Sequence, residues 1–130
     1  MARKEPDISS EQPDVYEYEL RGGWIVLAGK TDLDNDILST RTADGNDWWF
    51  HVHGLPGSHV ILRSIQGLEP DRETLKKAAS IAAYHSKARN AGITPVVCTK
   101  ACNVSKPRKA KPGTVQIRKE IMLKVRPGLP

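Results

Sequence analysis

The sequence predicts an α+β domain in which a mixed or antiparallel sheet packs against one long, alanine-rich helix over about residues 71–91, with one further short helix. Three observations carry this. Short apolar runs with β-branched content, bounded by Gly, Pro, Asn or Asp, lie both before and after the middle of the chain. One stretch, after Pro70, repeats apolar residues at helical spacing. The connections between these elements are mostly short. A length of 130 residues suits a single domain, expected over 20–130.

Residues 1–19 set two basic side chains against six acidic ones and contain two prolines, the composition of a flexible acidic arm. Gly22-Gly23 then reads as a turn into a buried strand, Trp24–Ala28, closed by Gly29. In the acidic cluster Asp32, Asp34, Asn35 and Asp36, either Asn35 or Asp36 could cap a short helix over Ile37–Ala43. The cluster is not a calcium loop. An EF-hand starting at Asp32 needs Gly sixth and Glu twelfth, where Ile37 and Ala43 stand. Asp44–Asp47 is turn chemistry, and Trp48–Val52 with Ser58–Arg63 reads as a hairpin joined through Gly54, Pro56 and Gly57.

In the helix, Asp71 is the expected N-cap, Leu75, Ala78, Ala79, Ala82 and Ser86 form the buried stripe, and Gly92 is the expected stop. A stripe this small lets the helix approach a sheet closely. Thr94–Thr99 reads as a strand, Lys106–Gly113 as a Pro-rich basic loop, and Thr114–Arg118 with Ile121–Val125 as a closing hairpin.

Charge is more informative by region than in total. Residues 20–84 nearly balance, but from 85 onward eleven basic side chains face Glu120 alone. A polycationic third of this kind suits a polyanion, because neutralised phosphates release counterions. Within it Lys106, Arg108, Lys109 and Lys111 lie in eight residues held semi-extended by two prolines, and Lys87 and Arg89 follow the helix. These six are the expected phosphate contacts. A membrane is not the expected partner: the cations lie among Pro, Gly and β-branched residues rather than on an amphipathic helix. No apolar run is long enough to span a bilayer, and Met1–Asp7 lacks the apolar core of a signal peptide, so a cytoplasmic setting is expected.

His51 and His53 share a strand face, and the hairpin brings His59 alongside. With Asp47 these imidazoles could hold a metal, but structural or hydrogen-bonding histidines are the preferred reading, and neither metal nor cofactor is expected. Ser58 in a Pro-Gly-Ser-His turn is not the strained elbow of a nucleophilic serine. Phosphate-loop patterns are absent from the sequence. Cys98 and Cys102 have neither redox nor zinc spacing and read as two reduced thiols, at least one of them buried.

From about Gly22 to Pro127 the chain resembles the NFACT RNA-binding domain of ribosome-quality-control proteins. The resemblance rests on Gly23–Gly29, Asn35-Asp36 with Leu38, Asp47–His51, Pro56–Val60, Ala78-Ala79, Ala82-Ala83, Ser86–Arg89, Lys106-Pro107 and Lys109–Gly113, in that order and spacing. It departs at Asp34, Arg41 and Val97-Cys98, where the family often has Gln, Lys and Asp-Tyr. It also lacks the other modules of full NFACT proteins, and so looks like a stand-alone version.

Full-length relatives bind the large ribosomal subunit carrying a stalled peptidyl-tRNA and recruit tRNA. The resemblance therefore implies binding of tRNA or ribosomal RNA, with the large subunit as a further partner. Asn35, Asp36, Asp47, His51, Ser58 and His59 are expected to shape a pocket beside the phosphate contacts. An RNA-modifying or RNA-processing enzyme would instead use Asp47, His51 and His59 as acid and base, and a protein-binding ribosome adaptor would use the acidic arm. Binding without catalysis is the preferred reading.

Overall fold

In a computed structural model, which describes residues 12–130, the chain forms six antiparallel strands in the order β1-β2-β4-β3-β5-β8. These are β1 (Val15–Leu20), β2 (Trp24–Gly29), β3 (Trp48–Val52), β4 (Val60–Leu62), β5 (Thr94–Lys100) and β8 (Ile121–Val125). A short ribbon of β6 (Val104–Ser105) and β7 (Gln116–Ile117) stands apart. The helices are α1 (Asp32–Ile37), which runs on as a π-helical turn over Leu38–Thr42, and α2 (Arg72–Tyr84). Among the described residues no helix is long and apolar enough to cross a membrane.

Strand alternation sorts the side chains into two layers. Phe50 lies between Val60 and Cys98, and with Val26, Ala28, Leu62 and Val96 it packs against Ala78, Ala79, Ile81, Ala82 and Ala83 of α2. One residue out of phase, Trp49 lies between Ile61 and Thr99 and packs with Leu27 and Leu38 on the opposite face. His51 and His59 share this second face. Cys98 is buried and unpaired, and burial pushes its thiol up to about 12, so it serves as a small apolar side chain. Cys102 is exposed and unpaired.

The β3–β4 hairpin and the Asp71 cap, whose carboxylate accepts from the Thr74 N–H at 2.8 Å, match the sequence expectation. Four elements do not. The acidic arm expected over 1–19 ends sooner, because Val15–Leu20 pair along the whole of β2, while residues 1–11 lie outside the described residues. The short helix starts at Asp32 rather than Ile37, capped by Thr31, whose hydroxyl accepts from the Asp34 N–H. Asn35 and Asp36 then lie buried inside the helix.

The long helix expected to Ala91 spans 13 residues and stops at Tyr84. Beyond it the backbone turns to pair with the loop before β4: the Ser58 N–H donates to the His85 carbonyl and the Lys87 N–H to the Pro56 carbonyl. Gly57 makes this possible, since a Cβ there would lie 2.6 Å from the Ser86 Cβ.

The closing hairpin is also replaced. β7 pairs with β6 and β8 with β5, because the chain changes layers at Lys119, whose φ is 55°. Val115 and Ile117 cover the Trp49 face, whereas Leu123 and Val125 pack under α2.

Candidate nucleic-acid interface

The basic loop is built from two successive turns. The Ala110 N–H donates to the Pro107 carbonyl and the Thr114 N–H to the Lys111 carbonyl. Lys106 closes it from within: its Nζ lies 2.7 Å from the Asp36 carboxylate and 2.9 Å from the Lys111 carbonyl. The same carboxylate oxygen accepts from the Gly113 N–H at 3.3 Å. Asp36, only 7% exposed, thus clasps both ends of the loop to α1. Lys106, expected among the phosphate contacts, is instead a tether, with its charge offset by Asp36. Lys106 is itself exposed, but Arg108, Lys109 and Lys111 are the exposed cations of the loop that no carboxylate among the described residues pairs.

Lys109 adopts a φ of 62°, a left-handed conformation that strains any residue with a Cβ. Lys109→Gly is expected to raise the unfolding free energy by about 0.5–1 kcal/mol, the relief of strain being partly offset by the freer unfolded chain. Urea denaturation checks this, and a lower midpoint contradicts it.

A second basic group lies where α2 ends. The Arg89 guanidinium sits 4.2 Å from the Tyr84 ring centroid while its Nε donates to the Tyr84 carbonyl at 2.8 Å. With Lys87 and Lys30 it lines a groove of ≈ 390 Å³ that also holds Ser58 and Asn35. Lys30 was not expected from the sequence, where it is a lone cation in a balanced region. The available signal was its place directly after a strand-closing glycine. Its ammonium lies over the Tyr16 ring and 3.4 Å from Asp14. Tyr16 stacks on His85 with centroids 4.6 Å apart, and the Tyr18 hydroxyl meets His85 Nε2 at 2.6 Å. Burial, aided by the Arg89 charge, holds His85 below the ordinary imidazole value. The loop and this groove both adjoin α1, the former through Asp36 and the latter through Asp32 and Asn35.

Asn35 of α1 and Ser39 of the π-helical turn meet Trp49 of β3 and His59, which directly precedes β4, in a hydrogen-bonded cluster. Asn35 Oδ1 accepts from the His59 N–H at 3.1 Å and lies so close to Gly29 that a Cβ there would overlap it, at 2.1 Å. The Ser39 hydroxyl accepts from Trp49 Nε1 at 2.9 Å and lies 2.7 Å from His59 Nδ1. His51 meets His59 edge to face at 5.5 Å. Burial first, and His51 second, lower His59 to about 4; hydrogen bonding at Gly113 and the Asp36 carboxylate oppose this. Burial likewise holds His51 low. Both imidazoles are therefore neutral at physiological pH.

Asn35, Asp36, His51, Ser58 and His59 are brought together, but Asp47 is not. Its carboxylate accepts from the Ser64 N–H at 2.7 Å and the Asp44 N–H at 2.9 Å and pairs with Arg63 at 3.1 Å, at the other end of β3. The acid–base set Asp47, His51 and His59 is thus not assembled. Ser58 donates its hydroxyl to the Gly29 carbonyl at 2.6 Å, and His59 is 4% exposed. What the surface offers is two groups of exposed cations around a buried, hydrogen-bonded polar centre whose imidazoles are neutral.

Residues 14–119 match the family model described as the NFACT protein RNA binding domain. The chain is similar to the Rqc2 homolog RqcH of Bacillus subtilis, with 46% identity over 103 residues, covering 79% of this chain and 18% of that protein. The Rqc2 homolog RqcH of Streptococcus suis is 40% identical over 106 residues, covering 82% of this chain and 19% of that protein. The chain therefore spans about a fifth of the length of these curated relatives. Among solved structures, the C-terminal part of the fibronectin/fibrinogen-binding protein from Streptococcus suis superposes with a TM-score of 0.81 at 36% identity, over 91% of this chain and 46% of that one. With the fold, the clasped basic loop and the matched residues in agreement, the chain belongs to the NFACT protein RNA-binding domain family.

Proposed function

We propose that this domain binds RNA through its phosphates and works in ribosome-associated quality control in the cytoplasm, with tRNA or the ribosomal RNA of the large subunit as its partner. The observation that carries the reading is the clasp of Asp36 on Lys106 and Gly113, which holds the basic loop to α1 and leaves three exposed cations without a carboxylate partner. Ordering the loop beforehand lowers the entropy lost on binding. Lys87, Arg89 and Lys30 supply a second contact beside the same helix. The RNA-binding description of the family and the Rqc2-homolog names of the relatives supply the class of partner.

The test is fluorescence anisotropy of labelled tRNA across a salt series, with size-matched duplex DNA alongside. Replacing Arg108, Lys109 and Lys111 by alanine is expected to make the salt slope shallower by about 2, the value for three released single-strand phosphate contacts. An unchanged slope removes the loop from the interface. Equal binding of tRNA and duplex DNA by the wild type removes the RNA preference.

A further inference from the structure

We propose that a groove of ≈ 400 Å³ between the end of β3 and residues 113–120 takes one unstacked nucleobase of the bound RNA, guanine in preference to the others. This deepens the RNA-binding reading and rests on it. The groove lies on the second face of the sheet, apart from the Lys30–Arg89 groove, and no residue assigned to phosphate contact lines it.

Position is the first argument. Gly113 and Thr114 form part of the wall and are separated from Lys111 by Pro112 alone, so a strand whose phosphate rests on Lys111 carries its neighbouring base to the opening. The second is the wall itself. His51 is half-buried and lies over the buried Trp49, with ring centroids 6.0 Å apart and planes 21° apart, while Val97, Val115 and Ile117 add apolar wall and His53, Thr114 and Glu120 its further polar groups. That is a shelf of fixed orientation for one planar ring. Because burial keeps His51 neutral, the shelf adds no charge, and hydrogen bonding to the backbone at Gly57 and Val52 holds the ring in place.

Glu120 supplies the selectivity. It is exposed and lines the groove, and a carboxylate can only accept hydrogen bonds. Guanine presents two adjacent donors, the N1–H and the 2-amino group, that match the two carboxylate oxygens. Adenine and cytosine offer an amino group alone beside a ring acceptor, and uracil offers a single N–H between two carbonyls. A carboxylate facing an acceptor leaves that acceptor unpaired, which is the stronger part of the discrimination.

The experiment uses the full chain and short polyuridine RNAs that differ at one position, carrying guanosine, adenosine, uridine or an abasic site. The guanosine RNA is expected to bind roughly tenfold more tightly than the abasic one, with the same salt slope. Glu120→Gln should abolish the preference for guanosine over adenosine yet keep the abasic deficit. Val115→Trp, which fills the groove, should abolish both; if it does not fold, the Glu120→Gln comparison still decides. Equal affinity for all four RNAs with a normal salt slope overturns the base pocket and leaves phosphate binding intact. Failure of every RNA to bind at low salt overturns the RNA-binding reading itself.

Discussion

Replacing Asp47 with alanine is expected to lower the unfolding free energy by about 3 kcal/mol, a loss that removes on the order of 10 °C from the melting temperature of a domain this size. The side chain is 1% exposed and joins three segments. It accepts from the backbone at Asp44 and Ser64 and pairs with Arg63, whose Nη1 also donates to the Thr42 carbonyl at the end of the π-helical turn. Alanine leaves two N–H groups without their acceptor and a guanidinium without its counter-charge, and the unmet desolvation outweighs the loss of the contacts themselves. Arg63 is 38% exposed and can turn to water, which keeps the effect below that of a fully buried pair. Asp47→Asn retains part of the acceptor set and should cost less. Thermal and urea denaturation measure both. RNA affinity below the melting range should be unaltered in Asp47→Asn, and a loss of affinity in a folded Asp47→Asn protein would return this residue to the binding site.

That Asp47 belongs to the frame and not to the polar centre is a long-range fact, and such facts separate what the sequence reveals from what it conceals. Periodicity is local, so the strands Trp24–Gly29, Trp48–Val52 and Thr94–Lys100, and the cap and alanine stripe of α2, are readable from their own residues. The end of α2 is not. Helical spacing continues to Ser86, and the helix stops because the Gly57 loop, far away in sequence, offers its backbone as a partner. The closing hairpin fails for a related reason. Both segments have strand composition, but one buries Val115 and Ile117 and the other Leu123 and Val125, on opposite faces of the sheet.

The interface follows the same division. The charge asymmetry and the basic loop are visible in composition, and so is the proximity of His51 and His59 through the hairpin. Which cations are free is invisible there, because it depends on pairings such as Lys106 with Asp36, separated by 70 residues. Asp32, Asp34, Asn35 and Asp36 read alike as an acidic cluster. In the fold Asp34 serves the Thr31 cap, Asn35 holds the His59 backbone and Asp36 holds the loop. Helical geometry divides these roles, pointing neighbouring residues in different directions.

The same buried centre should make the domain sensitive to mild acid. His59 is lowered from 6.5 to about 4, mainly by burial. The folded state therefore resists a proton that the unfolded chain takes up readily. The stabilisation is complete above the unfolded value of 6.5 and is lost as pH falls from there toward about 4, by about 3 kcal/mol in all. His51 and His85, also lowered by burial, act in the same direction. Asp34 and Asp71, lowered from 3.8, stabilise above that value and lose their effect only below it, so between about pH 6.5 and pH 4.5 the histidines dominate. His59→Gln keeps a polar group for Ser39 and cannot titrate. Urea denaturation across that window should show the wild type losing roughly 2–3 kcal/mol and His59→Gln losing clearly less, whatever its stability at neutral pH. Parallel pH profiles for the two proteins would mean that the acid sensitivity arises elsewhere and that His59 is not the proton-resisting group of the cluster.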